Sequence, residues 1–501
     1  MHTAAKRPVE RLGYTAIVLG TLSPLGWGAG QGAEGAVAAI PALLGVAALS
    51  GALTPWLMAR LPGELDGLAA QRKGTAALMI LLGLTTVAIT GRLSVYLGDP
   101  SRADLSLNPS DAFFTHHSCL TAYVQGARLA REGVDNLYAV ERWPHLSDTA
   151  EGAANAVPYA PFSLDAYAYP PTFLLLPAAL LGAMPDFSSA RALWSALLGL
   201  TGAAGLWTVS EWIGGRDRVR LLLLAPLVWT SPPFLAMLQA GNVHPIITVA
   251  VMVALVAFET RRAALGGALL AFAIVSKISP GLLILLLLLR RRYAAVAWTA
   301  AFAGLYAALS AAVFGLGPFW DFLTYELPAL SSGRAMTFLA EPESVAINLG
   351  PFGVPFRLIG MGVPIADPWA VAHRVSQVFS LALLGLTLLA SRAAEGRRPL
   401  LIAWAALMTL ASMRSPLAPS YTLFALVWGL SVLAVEVRGW RQTAALTLAW
   451  LILATPQPGP TPPMLLISTV QLVLVLIVAV APLLRVARLN DRSIAAAPVR
   501  D

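Results

Sequence analysis

A chain of 501 residues that is 57% hydrophobic and 12% charged lies outside the range of soluble domains, which carry roughly 25% charge. Its formal charge of +8 sits in short clusters between apolar runs, which is the positive-inside pattern and calls for no nucleic-acid partner. A single cysteine is expected to exclude an internal disulfide and any cysteine-based metal site.

Apolar runs long enough to cross about 30 Å of hydrocarbon recur along the chain, so the expected class is an all-α polytopic membrane protein. Met1–Arg11 is basic, with no small-residue cleavage site after a short apolar core, and reads as a cytoplasmic tail. Two apolar segments follow, Tyr14–Gly30 and Gly35–Ala59. Arg60, Arg72 and Lys73 mark the next turn as cytoplasmic, and Thr75–Leu97 then leads outside. The stretch from Gly98 to Leu176 is the long non-membrane segment. A polar loop of this length between membrane helices is where function is expected. Inside it, Leu120, Tyr123, Val124, Ala127 and Leu129 recur at helical spacing before Glu132-Gly133, which predicts an amphipathic helix on the membrane surface.

Beyond Pro171 come Phe173–Met184 and Ala190–Ile213, with Arg216, Arg218 and Arg220 at a cytoplasmic turn. Leu221–Ala240 goes out and Val243–Phe258 returns to Arg261-Arg262. Residues 263–289 then lie between two arginine clusters, Arg261-Arg262 and Arg290-Arg291-Arg292. If both clusters share one side, the segment enters and returns as two short arms of about 20 Å each. A single crossing is the rival. Ala294–Phe314 leads to a second outside loop, Gly315–Asp367, and the chain closes with Trp369–Ala390, Leu400–Ala411, Leu423–Val435, Ala444–Leu453 and Leu465–Leu484. The expected architecture is a bundle of about 11 to 13 helices. It is organised as 1–98 N-terminal helices, 99–171 outside loop, 172–315 transmembrane core, 316–367 second outside loop and 368–501 C-terminal helices and tail. No internal repeat of the inverted-transporter sort is visible.

The first loop holds Asp99, Asp104, Asp111, Asp135, Asp148, Glu151 and Asp165, with His116, His117 and His145. Near neutral pH a general base is a carboxylate or a histidine. Asp111, between the membrane exit and the amphipathic helix, is the first choice, with His117 and His116 behind it. Adjacent histidines point apart, which speaks against a metal pair. Lys277 interrupts an uncharged apolar stretch beside Pro280; an intramembrane lysine is costly and marks a functional site, for example as a point charge on phosphate. Snorkelling near a helix end is the bland alternative. Gln239, Gly241, Asn242 and His244 form a second polar cluster, and Arg414 a third. Groups of this kind facing one cavity would suit a lipid-linked anionic donor. No P-loop, GxGxxG, HExxH or GxSxG is present, which disfavours a nucleotide-driven machine.

The ordered set of motifs resembles a known family. An interfacial helix ends in Gly133-Val-Asp-Asn-Leu-Tyr138, followed by Tyr169-Pro170-Pro171 and Leu174-Leu-Leu-Pro177. Next come Gln239-Ala-Gly-Asn242, then Gly266–Ser276 running into Lys277-Ile-Ser-Pro280, and Arg290-Arg-Arg-Tyr293. Over roughly residues 110–315 this is similar to glycosyltransferase family 87 of the GT-C superfamily, which includes polyprenol-phosphate-mannose-dependent mannosyltransferases. The resemblance implies a polyprenyl-phosphate sugar as donor, an envelope lipid or glycan as acceptor, catalysis on the extracytoplasmic face of the inner membrane and inversion at the anomeric carbon. It implies no cofactor, and no metal requirement as firm as that of nucleotide-sugar enzymes. Lys277 and Arg414 would hold the donor phosphate, with Gln239, Asn242 and His244 as further donor contacts, and Tyr169, Pro170 and Pro171 would fix the loop. One departure matters: the family's aspartate lies about four residues before the helix tyrosine, and counting back from Tyr123 reaches Cys119. Two alternatives therefore stand beside the transferase, namely a flippase of lipid-linked sugars and an inactive family member.

Overall fold

The computed structural model describes residue 86 and residues 88–495, apart from 145, 185, 216, 219–220, 223–227, 230, 334, 393–395, 437–439 and 455–460. The N-terminal tail, the first two apolar segments, most of the third, the turn at Arg60, Arg72 and Lys73, and the residues His145, Arg216 and Arg220 lie outside the described residues. Among the described residues the chain is helical without a strand, and four helices are long and apolar enough to cross a membrane: Phe187–Ile213, Tyr293–Phe314, Pro368–Ser391 and Pro462–Leu484.

The chain forms two compact units. The described part of the first runs from helix α1 (residues 88–98) through α2 (Ala112–His116), α3 (Cys119–Glu132), α4 (Ala150–Ala156), α5 (Leu175–Ala183) and α6 (Phe187–Ile213) to α7 (Pro232–Ala240). The helix expected at Leu120–Leu129 is present as α3, ended by Gly133 in the left-handed region at φ 66°. The single covered face expected of it is corrected. Cys119 to Ala127, Leu129 and Ala130 are all buried, so α3 is a core helix rather than a one-sided one. Its polar residues go inside because each has a partner: Tyr159 Oη donates to Gln125 Oε1 at 2.8 Å, and Thr121 Oγ1 is 2.7 Å from Ser118 O and 3.1 Å from Ser163 O. Gly126 lets Tyr167 lie against the helix, since a Cβ there would sit 2.8 Å from the Tyr167 ring.

Arg191 on α6 is buried and donates from Nη1 to Tyr96 O and Leu97 O, both at 2.8 Å. These carbonyls end α1, where the last turn lacks intrahelical donors. The guanidinium also lies against Tyr96 and Phe162, 4.7 and 4.6 Å from their ring centres. The end of α1 is thereby tied to α6, the longest helix among the described residues of this unit.

The second unit holds α8 (His244–Glu259, from Ile246), α9 (Ala263–Ser276), α10 (Leu282–Leu289), α11 (Tyr293–Phe314), the short helices of residues 315–367, and α12 (Pro368–Ser391), α13 (Arg397–Met413), α14 (Phe424–Glu436), α15 (Trp440–Ala454) and α16 (Pro462–Ala495). Arg292 Nη2 donates to Glu259 Oε1 at 3.0 Å, which brings the two arginine turns together. The intervening chain therefore leaves and returns as two arms, α9 and α10, and a single crossing is excluded. Gly267 allows α9 to press on α11: a Cβ there would lie 2.6 Å from Trp298 Cβ and 2.7 Å from its carbonyl carbon.

Two short segments of the first loop, residues 135–138 and 168–173, belong to this second unit. Tyr138 Oη donates to Tyr169 O at 2.9 Å, and Ser310 Oγ on α11 donates to Pro171 O at 3.1 Å. Residues 315–367 fold into short helices, with a π-helical turn at Phe322–Glu326. Burial pushes the Glu326 carboxyl up to about 8.

Candidate functional site

The segment after α2 carries the chemistry of the first unit. Ser163 N donates to His116 O at 2.8 Å, and Asp165 N donates to Thr121 Oγ1 at 3.1 Å. Residues 163–165 are thus laid alongside the turn that starts α3. This pairing brings Asp165 to His117, 48 positions away in the chain, with Oδ1 3.3 Å from Nδ1. On the other side of the ring, His117 Nε2 lies 3.4 Å from Cys119 Sγ. Asn242 Nδ2 donates to the same sulfur at 3.3 Å, while Asn242 Oδ1 accepts from His244 N at 2.9 Å.

Burial pulls the His117 imidazole down, but the Asp165 carboxylate and the Cys119 sulfur outweigh it, and its pKa lies well above the ordinary histidine value. The charged ring is the favoured form. An imidazolium donates on both sides, here towards a carboxylate and a sulfur.

His117, Cys119 and Asp165 offer ligand atoms within 4.8 Å of one another, so one cysteine does not exclude a mixed metal set as the sequence suggested. The ring nevertheless turns opposite nitrogens to its two partners, and a metal takes only one of them. The observed orientation is that of a Cys–His–Asp relay.

The other residues singled out by sequence fall into place separately. Asp111 precedes α2, its carbonyl accepting from Phe114 N at 3.0 Å and Thr115 N at 3.2 Å. It is not one of the three residues of the cluster. His116 is exposed, with Nδ1 2.9 Å from Thr115 Oγ1, so the two neighbouring histidines do point to different partners. Gln239 is buried and clamps the start of the loop: Leu107 N donates to Oε1 at 2.7 Å, and Nε2 donates to Phe114 O. His244 is buried as well. Gln239 and Asn242 thus spend their polar atoms within the first unit.

In the second unit α9 ends at Lys277, and Ser279–Gly281 turns the chain into α10, with Pro280 where a helix start tolerates a missing N–H. Lys277 is half-buried, its Nζ 5.7 Å from the centre of the Tyr421 ring. Ser279 Oγ lies 3.5 Å from Ser412 Oγ at the end of α13. Arg414 follows two residues later, exposed, with Nε donating to Ser380 Oγ at 3.0 Å. The structure therefore brings the break at Lys277 to the same helix end as Arg414. Both cations remain in reach of solvent or ligand.

Residues 167–416 match the model of glycosyltransferase family 87. Over these residues the chain belongs to glycosyltransferase family 87. It is a membrane glycosyltransferase of the GT-C group. No curated protein matches the chain. The family 87 segment contains Tyr169, Pro170, Pro171, Gln239, Asn242, His244, Lys277 and Arg414, whereas Asp111, His116 and His117 precede it.

Sequence reasoning passed over two residues of the cluster. Asp165 appeared only as one of several loop acids, and no spacing signal links it to His117. Cys119 registered as a missing acid rather than as a group in its own right. The signal that was available is its single occurrence, two residues from a histidine.

Proposed function

We propose that the protein moves a hexose, mannose or a similar sugar, from a polyprenyl-phosphate carrier to a lipid or glycan of the cell envelope, on the extracytoplasmic face of the inner membrane. The observation that carries this reading is the family 87 segment with a lysine at a break between apolar arms and an arginine beside the same helix end. A point charge and a planar fork are suited to a phosphate leaving group. Membrane location and the absence of nucleotide-binding signatures favour a lipid-borne donor over a nucleotide sugar.

The reaction is a single displacement. The acceptor oxygen bonds to the anomeric carbon, the carbon–oxygen bond to phosphate breaks, and polyprenyl phosphate leaves with the electron pair. The acceptor's proton passes to a basic atom of the group formed by Cys119, His117 and Asp165, with Asp111 as the competing proton acceptor. Proton transfer of this kind contributes typically about 10²–10⁴-fold. Tyr169, Pro170 and Pro171 anchor the loop through the Ser310 hydrogen bond.

The test is a transfer assay with the full-length protein in liposomes, a panel of polyprenyl-phosphate sugars and an envelope lipid extract as acceptor. Sugar transfer from a polyprenyl-phosphate donor is the expected result. Transfer only from nucleotide sugars, or movement of the donor across the bilayer with no new product, would overturn the reading.

A further inference from the structure

We propose that the Cys119 sulfur, held as a thiolate by His117 and Asn242, is the atom that takes the acceptor's proton. This rests on the transferase reading above but is measurable apart from it.

Four observations converge on the sulfur. His117 Nε2 approaches it at 3.4 Å, while Nδ1 of the same ring faces Asp165 at 3.3 Å, so one carboxylate fixes the ring with its other nitrogen aimed at the thiol. Asn242 Nδ2 donates to it at 3.3 Å, and its Oδ1 is engaged by His244 N, which fixes the amide with its NH2 towards the sulfur. Cys119 is the first residue of a 14-residue helix, where the backbone N–H groups favour negative charge. It is a free thiol and the chain's only one. Each donor stabilises S⁻ over S–H. The ionisable groups at the sulfur are His117 and, through it, Asp165; Tyr123, one turn along α3, instead accepts from Val243 N at 3.3 Å.

The upward shift of His117 agrees with this assignment. The direction of that shift favours the protonated ring, which makes the histidine the counter-charge to the sulfur. Cys119 itself is buried, but the His117 and Asp165 side chains are each 22% exposed, so the group opens on one side. In the transfer step the acceptor O–H bond breaks, the proton joins Sγ, and the oxygen's electron pair forms the bond to the anomeric carbon as the phosphate leaves. The neutral thiol then releases its proton to water and the thiolate is restored. A thiolate held beside an acceptor hydroxyl can take up its proton as the new bond forms. Serine at the same place, lacking an accessible anion, cannot.

The single cysteine makes the measurement direct. Iodoacetamide alkylation of the full-length protein in detergent, followed by mass spectrometry across pH, reports Cys119 alone, with protein unfolded in SDS as the reference. The rate should rise with a midpoint below the roughly 8.5 of an ordinary thiol. His117→Gln should move that midpoint back towards the unfolded reference, and Asp165→Asn should do so to a smaller degree. In the transfer assay Cys119→Ser should lose about 10²–10⁴-fold. A native midpoint at or above the reference overturns the thiolate, as does a sulfur that no small electrophile reaches at any pH. These two readings need only the parent protein, so a variant that misfolds does not rescue the proposal. Full transfer by Cys119→Ser overturns the role as base, and so does transfer that a chelator abolishes and zinc restores, which would make the group a metal centre. Absence of transfer from every donor removes the transferase reading instead, leaving the alkylation midpoint to decide whether the thiolate exists.

Discussion

The polar groups at the start of α3 and at the break after α9 are built on opposite plans. In the first, His117, Asp165, Cys119 and Asn242 each have a named partner in the group, and the side chains are fixed by the backbone pairing of 163–165 with the turn before α3. In the second, Lys277 rests at 5.7 Å from an aromatic ring and Arg414 has one hydroxyl at its Nε, both beside apolar helices. The difference teaches what each can do. Closely partnered groups tune one another's protonation, which suits proton transfer. Lys277 is half-buried and Arg414 exposed, and cations with part of their surface open suit a phosphate.

The largest expected effect tests the first group. His117→Ala should lower transfer by about 10²–10⁴-fold while thermal stability in detergent stays near that of the parent. Asp111→Asn, outside the cluster, should leave transfer close to the parent; the opposite pair of results returns the proton-accepting role to Asp111. The second group should respond differently. Lys277→Met should weaken donor binding by roughly 10- to 100-fold, the range expected for one hydrogen bond to a charged group, with little change in transfer at saturating donor. A Lys277→Met protein that binds and turns over donor like the parent removes the phosphate role.

Packing in the second unit gives a smaller effect on stability alone. Gly267→Val forces side-chain atoms onto the Trp298 backbone and should cost about 1–3 kcal/mol, read as a lowered denaturation midpoint. The mildest effect is on pH dependence. Because burial raises Glu326 to about 8, the folded chain keeps a proton that the unfolded chain has already released. Stability attributable to this group is therefore complete below the ordinary glutamate range and falls as pH rises towards 8. Glu326→Gln should flatten the melting temperature across that window, and an unchanged slope would mean that the carboxyl is hydrated and ionised in the folded protein.

Most of the described helices could be read from hydropathy, because a bilayer forces long apolar runs to satisfy their own backbone. Ala190–Ile213, Ala294–Phe314 and Trp369–Ala390 were expected and are found as Phe187–Ile213, Tyr293–Phe314 and Pro368–Ser391. The alternation of arginine clusters even posed the right question about residues 263–289. Only the Arg292–Glu259 pair answered it, since charge clusters mark sides but not whether the chain between them returns. The cation at Lys277 was legible for the same energetic reason, as a charge amid hydrocarbon-length sequence needs a purpose.

The group formed by His117, Cys119, Asp165 and Asn242 was not legible. His117 and Cys119 are neighbours in sequence, but their meaning depends on Asp165 and Asn242, which arrive through a backbone pairing and a helix-end turn that leave no periodic trace. Composition and period thus determined a membrane-embedded helical protein with a lysine at the break after α9, and the resemblance to family 87 supplied the transferase. The tertiary structure decided which side chains share protons, because pKa values follow from distances of a few ångströms, and sequence separation does not encode those distances.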